Sequence, residues 1–324
     1  MYPADVEKTV LECLSENYGL DGTLTRLSGE NLNYLLTLKN GDRLVVKIVD
    51  DGMPAEVVEM ESEALKYAAF SGFRLKLPEI MENLDKKIET GIKIRINSSE
   101  RLRVIEYIKG VEIENIPDIS TNLVKNVGKI IAEFNQALLG FSHPAAYRSH
   151  RWNLAETGQH LDKVSLVNDL EKRALLQWGF GQWLRVENML EGLPWQFIHG
   201  DLNRENILVD KGRICGLVDF GDSCMNPTVC DLAIALTYFM MDQDNPLEPA
   251  RILIDGYEET RVLEAPERFV LIPLVCGRLA ASISISHERR LIDPDNPNWF
   301  SSEQPAWRLL GQLRKRVRKG QGFE

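Results

Sequence analysis

Over the first hundred residues the apolar positions switch between helical and alternating spacing, and beyond them helical spacing dominates. Val6, Val10, Leu11 and Leu14 recur at helical intervals and predict a helix that stops at Gly19 or Gly22. Two β-prone runs follow, 33–38 and 43–49, separated by Lys39-Asn40-Gly41-Asp42. An Asn-Gly pair between such runs predicts a hairpin. The segment 56–70 then places Val57, Met60, Ala64, Leu65 and Ala68 on one helical face, with Gly72 past its end. Two more strands are expected at 92–96 and 102–108, joined by the polar turn 97–100.

After Gly110 the chain predicts long helices over 122–139, 158–176, 177–190, 230–241, 249–263 and 266–291, with short β-prone runs at 196–199, 207–209 and 214–218. The pattern predicts an α+β chain. A small antiparallel sheet with one long helix spans 1–108, and a larger, mainly helical lobe spans 109–324.

Composition narrows the field. At 324 residues and 44% hydrophobic there is ample material for a large core in two lobes. A net charge of −10 argues against non-specific nucleic-acid binding, which needs a basic face. The five cysteines form no C-x-x-C pair and are odd in number, so reduced, mostly buried thiols in a cytoplasmic protein are expected. Neither a signal peptide nor a membrane-spanning run of about 18 apolar residues is apparent, so no membrane partner is expected.

The chemistry concentrates in two short segments, Phe197-Ile198-His199-Gly200-Asp201-Leu202-Asn203-Arg204-Glu205-Asn206 and Leu217-Val218-Asp219-Phe220-Gly221-Asp222. Phosphoryl transfer to an alcohol needs a carboxylate that orients the attacking hydroxyl and takes its proton, and Asp201 suits that role. Asn206, five residues on, can offer its amide oxygen to a metal. Asp219 stands at the end of an apolar strand, where a carboxylate can hold Mg²⁺, an ion that usually takes one or two protein carboxylates plus phosphate and water oxygens. His199 is expected to brace the loop. Asp222 either touches the acceptor or caps the turn.

The front half supplies complements. Lys47 lies in the apolar strand 44–48, ahead of a helix carrying Glu56, Glu59, Glu61 and Glu63. In kinases a lysine–glutamate pair holds the α- and β-phosphates. Glu61 is the expected partner of Lys47, with Glu63 and Glu56 as alternatives. Ser28, Gly29, Asn31 and Asn33 form a polar turn that can either curve over a triphosphate or close an ordinary hairpin; it is not a Walker loop. In a two-lobed kinase the backbone of Glu106 to Ile108 would lie near adenine.

These residues, in this order, resemble the aminoglycoside phosphotransferase and choline kinase superfamily, with its protein-kinase-like two-lobe fold. Asp231-Leu232-Ala233 is similar to the superfamily's structural Asp-Leu-Ala. The resemblance implies ATP, or GTP, as donor and Mg²⁺ as cofactor. It makes Asp201 the base, Asn206 and Asp219 metal ligands, and Lys47 a phosphate ligand. Gly200-Asp201 replaces the Arg-Asp of protein kinases and no Ala-Pro-Glu segment is apparent, which favours a small-molecule acceptor.

Ser149-His150-Arg151-Trp152-Asn153-Leu154 and the Ser-Gly-Glu-x-x-Asn-Tyr pattern from Ser28 to Tyr34 resemble the hydroxylysine-kinase-like subgroup, with Asn153 where that subgroup has Asp. Trp152 is either an aromatic wall for a cationic substrate or a packing residue. An amino-bearing acceptor is expected between Asp201, Asp222 and the helices around Trp152 and Arg278. Homoserine, choline, ethanolamine and aminoglycosides are competing acceptors, and a nucleotide-binding pseudokinase or a protein kinase are competing classes. The basic run 314–319, a solvated helix end, lacks the acidic character expected of an enzyme that binds a polycationic antibiotic. The protein is expected to act as a monomer or homodimer.

Overall fold

The structure is a computed structural model that describes residues 5–27, 32–49, 52–94, 99–296 and 299–319. The chain forms two compact units, Met1–Lys66 with Lys76–Lys109, and Tyr67–Leu75 with Gly110–Glu324.

In the first unit, α1 (Val6–Tyr18) ends where Gly19 turns left-handed at φ 66° and returns its N–H to Ser15. A six-stranded sheet follows, made from β1 (Gly22–Arg26), β2 (Asn33–Leu38), β3 (Arg43–Val49), β4 (Ile80–Met81), β5 (Thr90–Ile92) and β6 (Glu100–Glu106), with α2 (Ala55–Phe70) between β3 and β4. The strand order is β1-β2-β3-β6-β4, with β5 also on β6, and every pairing is antiparallel. The 39–42 hairpin forms as its Asn-Gly pair predicts, Gly41 taking φ 91°. β6 stops at Glu106, two residues short of the predicted strand end.

Alternation along β2, β3 and β6 splits the sheet into two faces. Tyr34, Leu36, Val46, Leu102 and Val104 bury one face against Val6, Val10, Leu14 and Tyr18 of α1. The register aligns Asn33 with Lys47 and Lys47 with Arg103, a polar row on the other face.

The second unit runs β7 (Val111–Glu112), α3 (Thr121–Ala137), a 3₁₀ stretch (Leu154–Leu166), α4 (Leu170–Leu184), β8 (Trp195–Ile198), β9 (Ile207–Asp210), β10 (Arg213–Leu217), β11 (Cys224–Pro227), α5 (Val229–Met240), α6 (Leu247–Glu258), α7 (Ala265–Arg290) and α8 (Glu303–Val317). Two expectations fail here. The helix expected over 158–176 is two elements, because the 3₁₀ stretch ends at Leu166 and the chain extends at Val167 before α4 begins. Asp169 then caps α4 by accepting from the N–H groups of Glu171 and Lys172, and α4 continues through the expected break at 176/177. The helix expected over 177–190 is therefore the end of α4 followed by a 3₁₀ turn at Glu187–Gly192.

β9 and β10 form a hairpin with left-handed Lys211 and Gly212 at its tip, and β7 adds to β9. β8 pairs with β11. α7 is the core helix of this unit, with Leu274, Val275, Leu279, Ile283 and Arg278 all buried. Contrary to the expectation above, its length and composition would suffice to cross a membrane, yet most of that apolar stretch is buried within the unit.

α3 and α6 meet backbone to backbone. A Cβ at Gly256 would lie 1.8 Å from the Lys125 carbonyl oxygen, and one at Gly128 would lie 1.9 Å from that of Leu253. Gly256→Ala should therefore destabilise the protein by about 2–3 kcal/mol through overpacking, although alanine favours a helix by about 1 kcal/mol. Urea unfolding of the variant checks this; a rise in the midpoint would refute it.

Candidate active site

The loop after β8 carries the Asp201 motif, and buried side chains from three helices hold it. Asp231, near the start of α5, accepts from two consecutive backbone N–H groups, His199 at 3.1 Å and Gly200 at 2.9 Å. Asn135 of α3 donates to the same carboxylate at 2.7 Å. Burial still pushes the Asp231 carboxyl up to about 6, against these donors. Gly200 takes φ 80°, and a Cβ there would meet the Asp222 carbonyl oxygen at 2.3 Å. Only glycine satisfies both conditions.

His199 braces the loop. Its Nε2 lies 3.1 Å from the Val218 carbonyl oxygen and its Nδ1 accepts from the N–H of Asp201 at 3.3 Å. Burial lowers its pKa to about 4, so the ring is neutral at pH 7. The Phe220 ring packs 4.4 Å from it.

The Asp201 carboxylate is held by both oxygens. Oδ2 accepts from Asn203 Nδ2 and from Asn206 Nδ2, each at 3.0 Å, and Oδ1 accepts from Arg278 Nη2 at 2.6 Å. Burial drives the carboxyl up to about 7; Arg278 opposes the rise, while Asp222 and Asp219 add to it. Asn206 also donates to the Asp201 carbonyl oxygen at 2.8 Å. Its two amide hydrogens are thus directed at Asp201, and its amide oxygen meets no donor among the described residues.

Asn206 immediately precedes β9 and accepts from the N–H of Val218, so Asn206 and Asp219 stand at the same end of the β9–β10 hairpin. Asp219 adopts φ 63°, a left-handed turn that aspartate tolerates better than most residues. No group of three His, Cys, Asp or Glu able to hold a metal occurs among the described residues. An amide oxygen and one carboxylate instead fit a hard cation that draws its remaining ligands from phosphate and water.

Asp222 lies 3.4 Å from His150 Nδ1. Arg148 donates to the carbonyl oxygens of Gly221 and Ser223 and holds this turn in place. Trp152 does not present an empty face to a cation. The Arg278 guanidinium lies 4.6 Å from its ring centroid and that of Arg289 lies 5.9 Å away. Asn153 is buried, caps the 3₁₀ stretch through Ala155 N–H and accepts from Asn226 Nδ2 at 2.7 Å. The subgroup's Asp position therefore has a structural role here.

In the first unit, Glu61 Oε2 is bonded to Arg103 Nη1 at 2.7 Å, and both side chains are buried. Arg103 is the cross-strand neighbour of Lys47, and Glu61 Oε1 has no hydrogen-bond partner among the described residues. The carboxylate chosen for Lys47 is bonded to a different cation, Arg103, which the strand pattern did not single out. Asn33 faces Lys47 across β2–β3. Glu106 ion-pairs with Lys76 at 3.3 Å, and Ile108 is buried. Ser28, Gly29 and Asn31 lie outside the described residues. The side chains that sequence reasoning missed are Arg103, Arg148, Asn203 and Tyr238; Arg278 had been placed near the acceptor but given no task. A lone arginine inside the apolar run of α7 was the available signal for it.

A sheet unit carrying a strand lysine, with a His-Gly-Asp loop and an Asp-Phe-Gly turn in a helical unit, defines a kinase-like phosphotransferase. The model of the phosphotransferase enzyme family matches residues 23–268, and the chain belongs to that family. It is a small-molecule kinase. It is 25% identical to hydroxylysine kinase of Mus musculus over 83% of this chain and 76% of the relative. With homoserine kinase of Gluconobacter oxydans it shares 26% identity over 82% of each chain. Among solved structures, a microcompartment-associated aminopropanol kinase superposes with a TM-score of 0.75 at 16% identity, covering 96% of this chain and 98% of that one. Amicoumacin kinase in complex with AMP-PNP, Ca²⁺ and amicoumacin superposes with a TM-score of 0.71 at 16% identity, covering 98% and 94%.

Proposed function

We propose that this protein transfers the γ-phosphoryl group of ATP to the hydroxyl of a small amino-bearing metabolite, with a hydroxylysine-like acceptor favoured. The observation that carries the reading is the Asp201 carboxylate, held by Asn203, Asn206 and Arg278 and flanked by Asp219 and Asp222. In this proposal Asp201 orients the acceptor hydroxyl and takes its proton. Asn206 and Asp219 would hold Mg²⁺, which when bound neutralises charge on the transferring phosphates. Lys47, with Glu61, would bind the α- and β-phosphates, and GTP is the alternative donor. Asn33 and the turn residues Ser28, Gly29 and Asn31 belong to the phosphate side of the proposal, and the backbone of Glu106 and Ile108 to the adenine side. Asp222 is the carboxylate proposed to meet the acceptor's ammonium group.

Similarity to hydroxylysine kinase, and to an aminopropanol kinase in fold, supports an amino alcohol. Similarity to homoserine kinase supports the second reading, in which the alcohol is shorter. The AMP-PNP and Ca²⁺ of the amicoumacin kinase complex are in keeping with a nucleotide donor and a divalent cation. Free thiols at all five cysteines are in keeping with the proposed cytoplasmic location, and a monomer or homodimer is proposed as the assembly.

A coupled nucleoside-diphosphate release assay with Mg²⁺ tests the proposal against hydroxylysine, homoserine, choline, ethanolamine, aminopropanol and an aminoglycoside. The expected result is the highest kcat/KM with hydroxylysine. Turnover confined to homoserine would move the assignment to the second reading. Nucleotide binding with no turnover of any amino alcohol would sink the acceptor class.

A further inference from the structure

Asp201 has more donors than a reactive carboxylate needs, and their distribution is uneven. Each ionised carboxylate oxygen offers about two lone-pair sites. Oδ2 uses both, one for Asn203 and one for Asn206. Oδ1 receives a single donor among the described residues, Arg278 Nη2. The oxygen with room for an incoming hydroxyl is therefore Oδ1, and the side chain beside it is Arg278.

Arg278 is itself fixed from several sides. Its Nη1 donates to the Trp152 carbonyl oxygen at 3.1 Å, and Nη2 also donates to Tyr238 Oη at 3.2 Å. The guanidinium lies 4.6 Å from the Trp152 ring centroid and 5.6 Å from that of Tyr238. The side chain is 3% exposed and projects from the core helix α7. A charge-assisted N–H···O bond from a planar, stacked guanidinium fixes a direction, whereas a mobile ammonium fixes only a distance.

We infer that Asp201 Oδ1 is the atom that receives the acceptor's proton, and that Arg278 is the positioning residue that aims it, with Trp152 and Tyr238 as its clamp. The inference rests on the kinase reading above. In the step, the acceptor O–H bond breaks and its proton passes to Oδ1. The hydroxyl oxygen bonds to the γ-phosphorus, the bridging P–O bond breaks, and its electron pair leaves on the nucleoside diphosphate. Trp152 accordingly acts through Arg278 rather than as a wall for the acceptor's cation.

The test compares Arg278→Gln, Arg278→Lys and Tyr238→Phe in the full-length protein with the acceptor turned over best by wild type. Losing the fork should misplace the carboxylate and lower kcat about 100-fold in Arg278→Gln, a displacement effect that leaves KM for the acceptor within a few-fold. Arg278→Lys keeps the charge without the fork and should recover about tenfold of that loss. Tyr238→Phe removes one acceptor of the guanidinium and should lower kcat about threefold, with Trp152 still stacked. Affinity for a fluorescent ATP analogue with Mg²⁺ should stay at the wild-type level in all three.

Wild-type kcat in folded Arg278→Gln overturns the inference, as does a change confined to acceptor KM, which would make Arg278 a binding group. Should Arg278→Gln fail to fold, the other two variants decide: kcat equal to wild type in both refutes positioning. Activity surviving in Asp201→Asn would instead sink the underlying kinase reading, so the two failures are distinguishable.

Discussion

Asp201→Asn should lower kcat by about 1,000-fold or more while the affinity for nucleotide survives. A loss of that size corresponds to about 4 kcal/mol of transition-state stabilisation. The substitution is nearly isosteric, so the loss comes from chemistry rather than from size. An amide cannot take the hydroxyl proton. It also cannot satisfy its surroundings: with its oxygen toward Arg278, its NH₂ group faces the Nδ2 atoms of Asn203 and Asn206, which are donors as well. Turning the Asn206 amide over would forfeit its bond to the Asp201 carbonyl oxygen. A stability loss of about 1–3 kcal/mol should accompany the loss of activity, because buried Arg278 keeps its charge without a counter-ion. Steady-state kinetics, nucleotide titration and thermal unfolding of one preparation separate these effects. Asp219→Ala serves as the companion, expected to lose the Mg²⁺-dependent part of nucleotide affinity. Unimpaired turnover by Asp201→Asn would refute the mechanism.

The second large effect is expected at Gly200. The left-handed backbone at φ 80° costs a residue with a Cβ about 1–2 kcal/mol, and here the Cβ would also overlap the Asp222 carbonyl oxygen. That oxygen is backbone and cannot swing aside. Relief requires the loop to move away from Asp222, which strains the paired N–H groups of His199 and Gly200 on Asp231. Gly200→Ala should therefore destabilise the fold by about 3 kcal/mol and reduce kcat about 100-fold in whatever folds. Denaturant unfolding and assay of the folded fraction check both parts. A stable, fully active alanine variant would show that the loop does not need this conformation.

The legible parts of this protein are those whose cause is local. The β2–β3 hairpin follows from period-two alternation around Asn40-Gly41, and α1 from its spacing and Gly19. The proximity of Asp201 and Asn206 was legible for the same reason, since they lie on one short loop and touch directly. The break before α4 was misplaced because apolar spacing continues across it, and only the cap at Asp169 marks the start. β11 was missed; its four residues Cys-Met-Asn-Pro carry little β signal, and their partner strand β8 supplies the order. The least legible features join distant residues. Arg278 reaches Asp201 from 77 positions away, Arg148 holds Gly221 from 73, and Arg103 reaches Glu61 from 42. A buried arginine can be noticed in a sequence, but its partner cannot be named until the fold brings the two together.

The wiring of the Asp201 loop also has a temporal side. Its backbone anchor, Asp231, follows it by about thirty residues, and the guanidinium aimed at its carboxylate comes from α7, much closer to the carboxyl terminus. A nascent chain emerging from a ribosome would expose the His-Gly-Asp segment when Asp231 had only just been joined to the chain and α7 was still to be made. If Arg278 aims Asp201 as inferred above, competence for phosphoryl transfer waits for α7, and a product truncated before that helix should be inert even with its sheet unit folded.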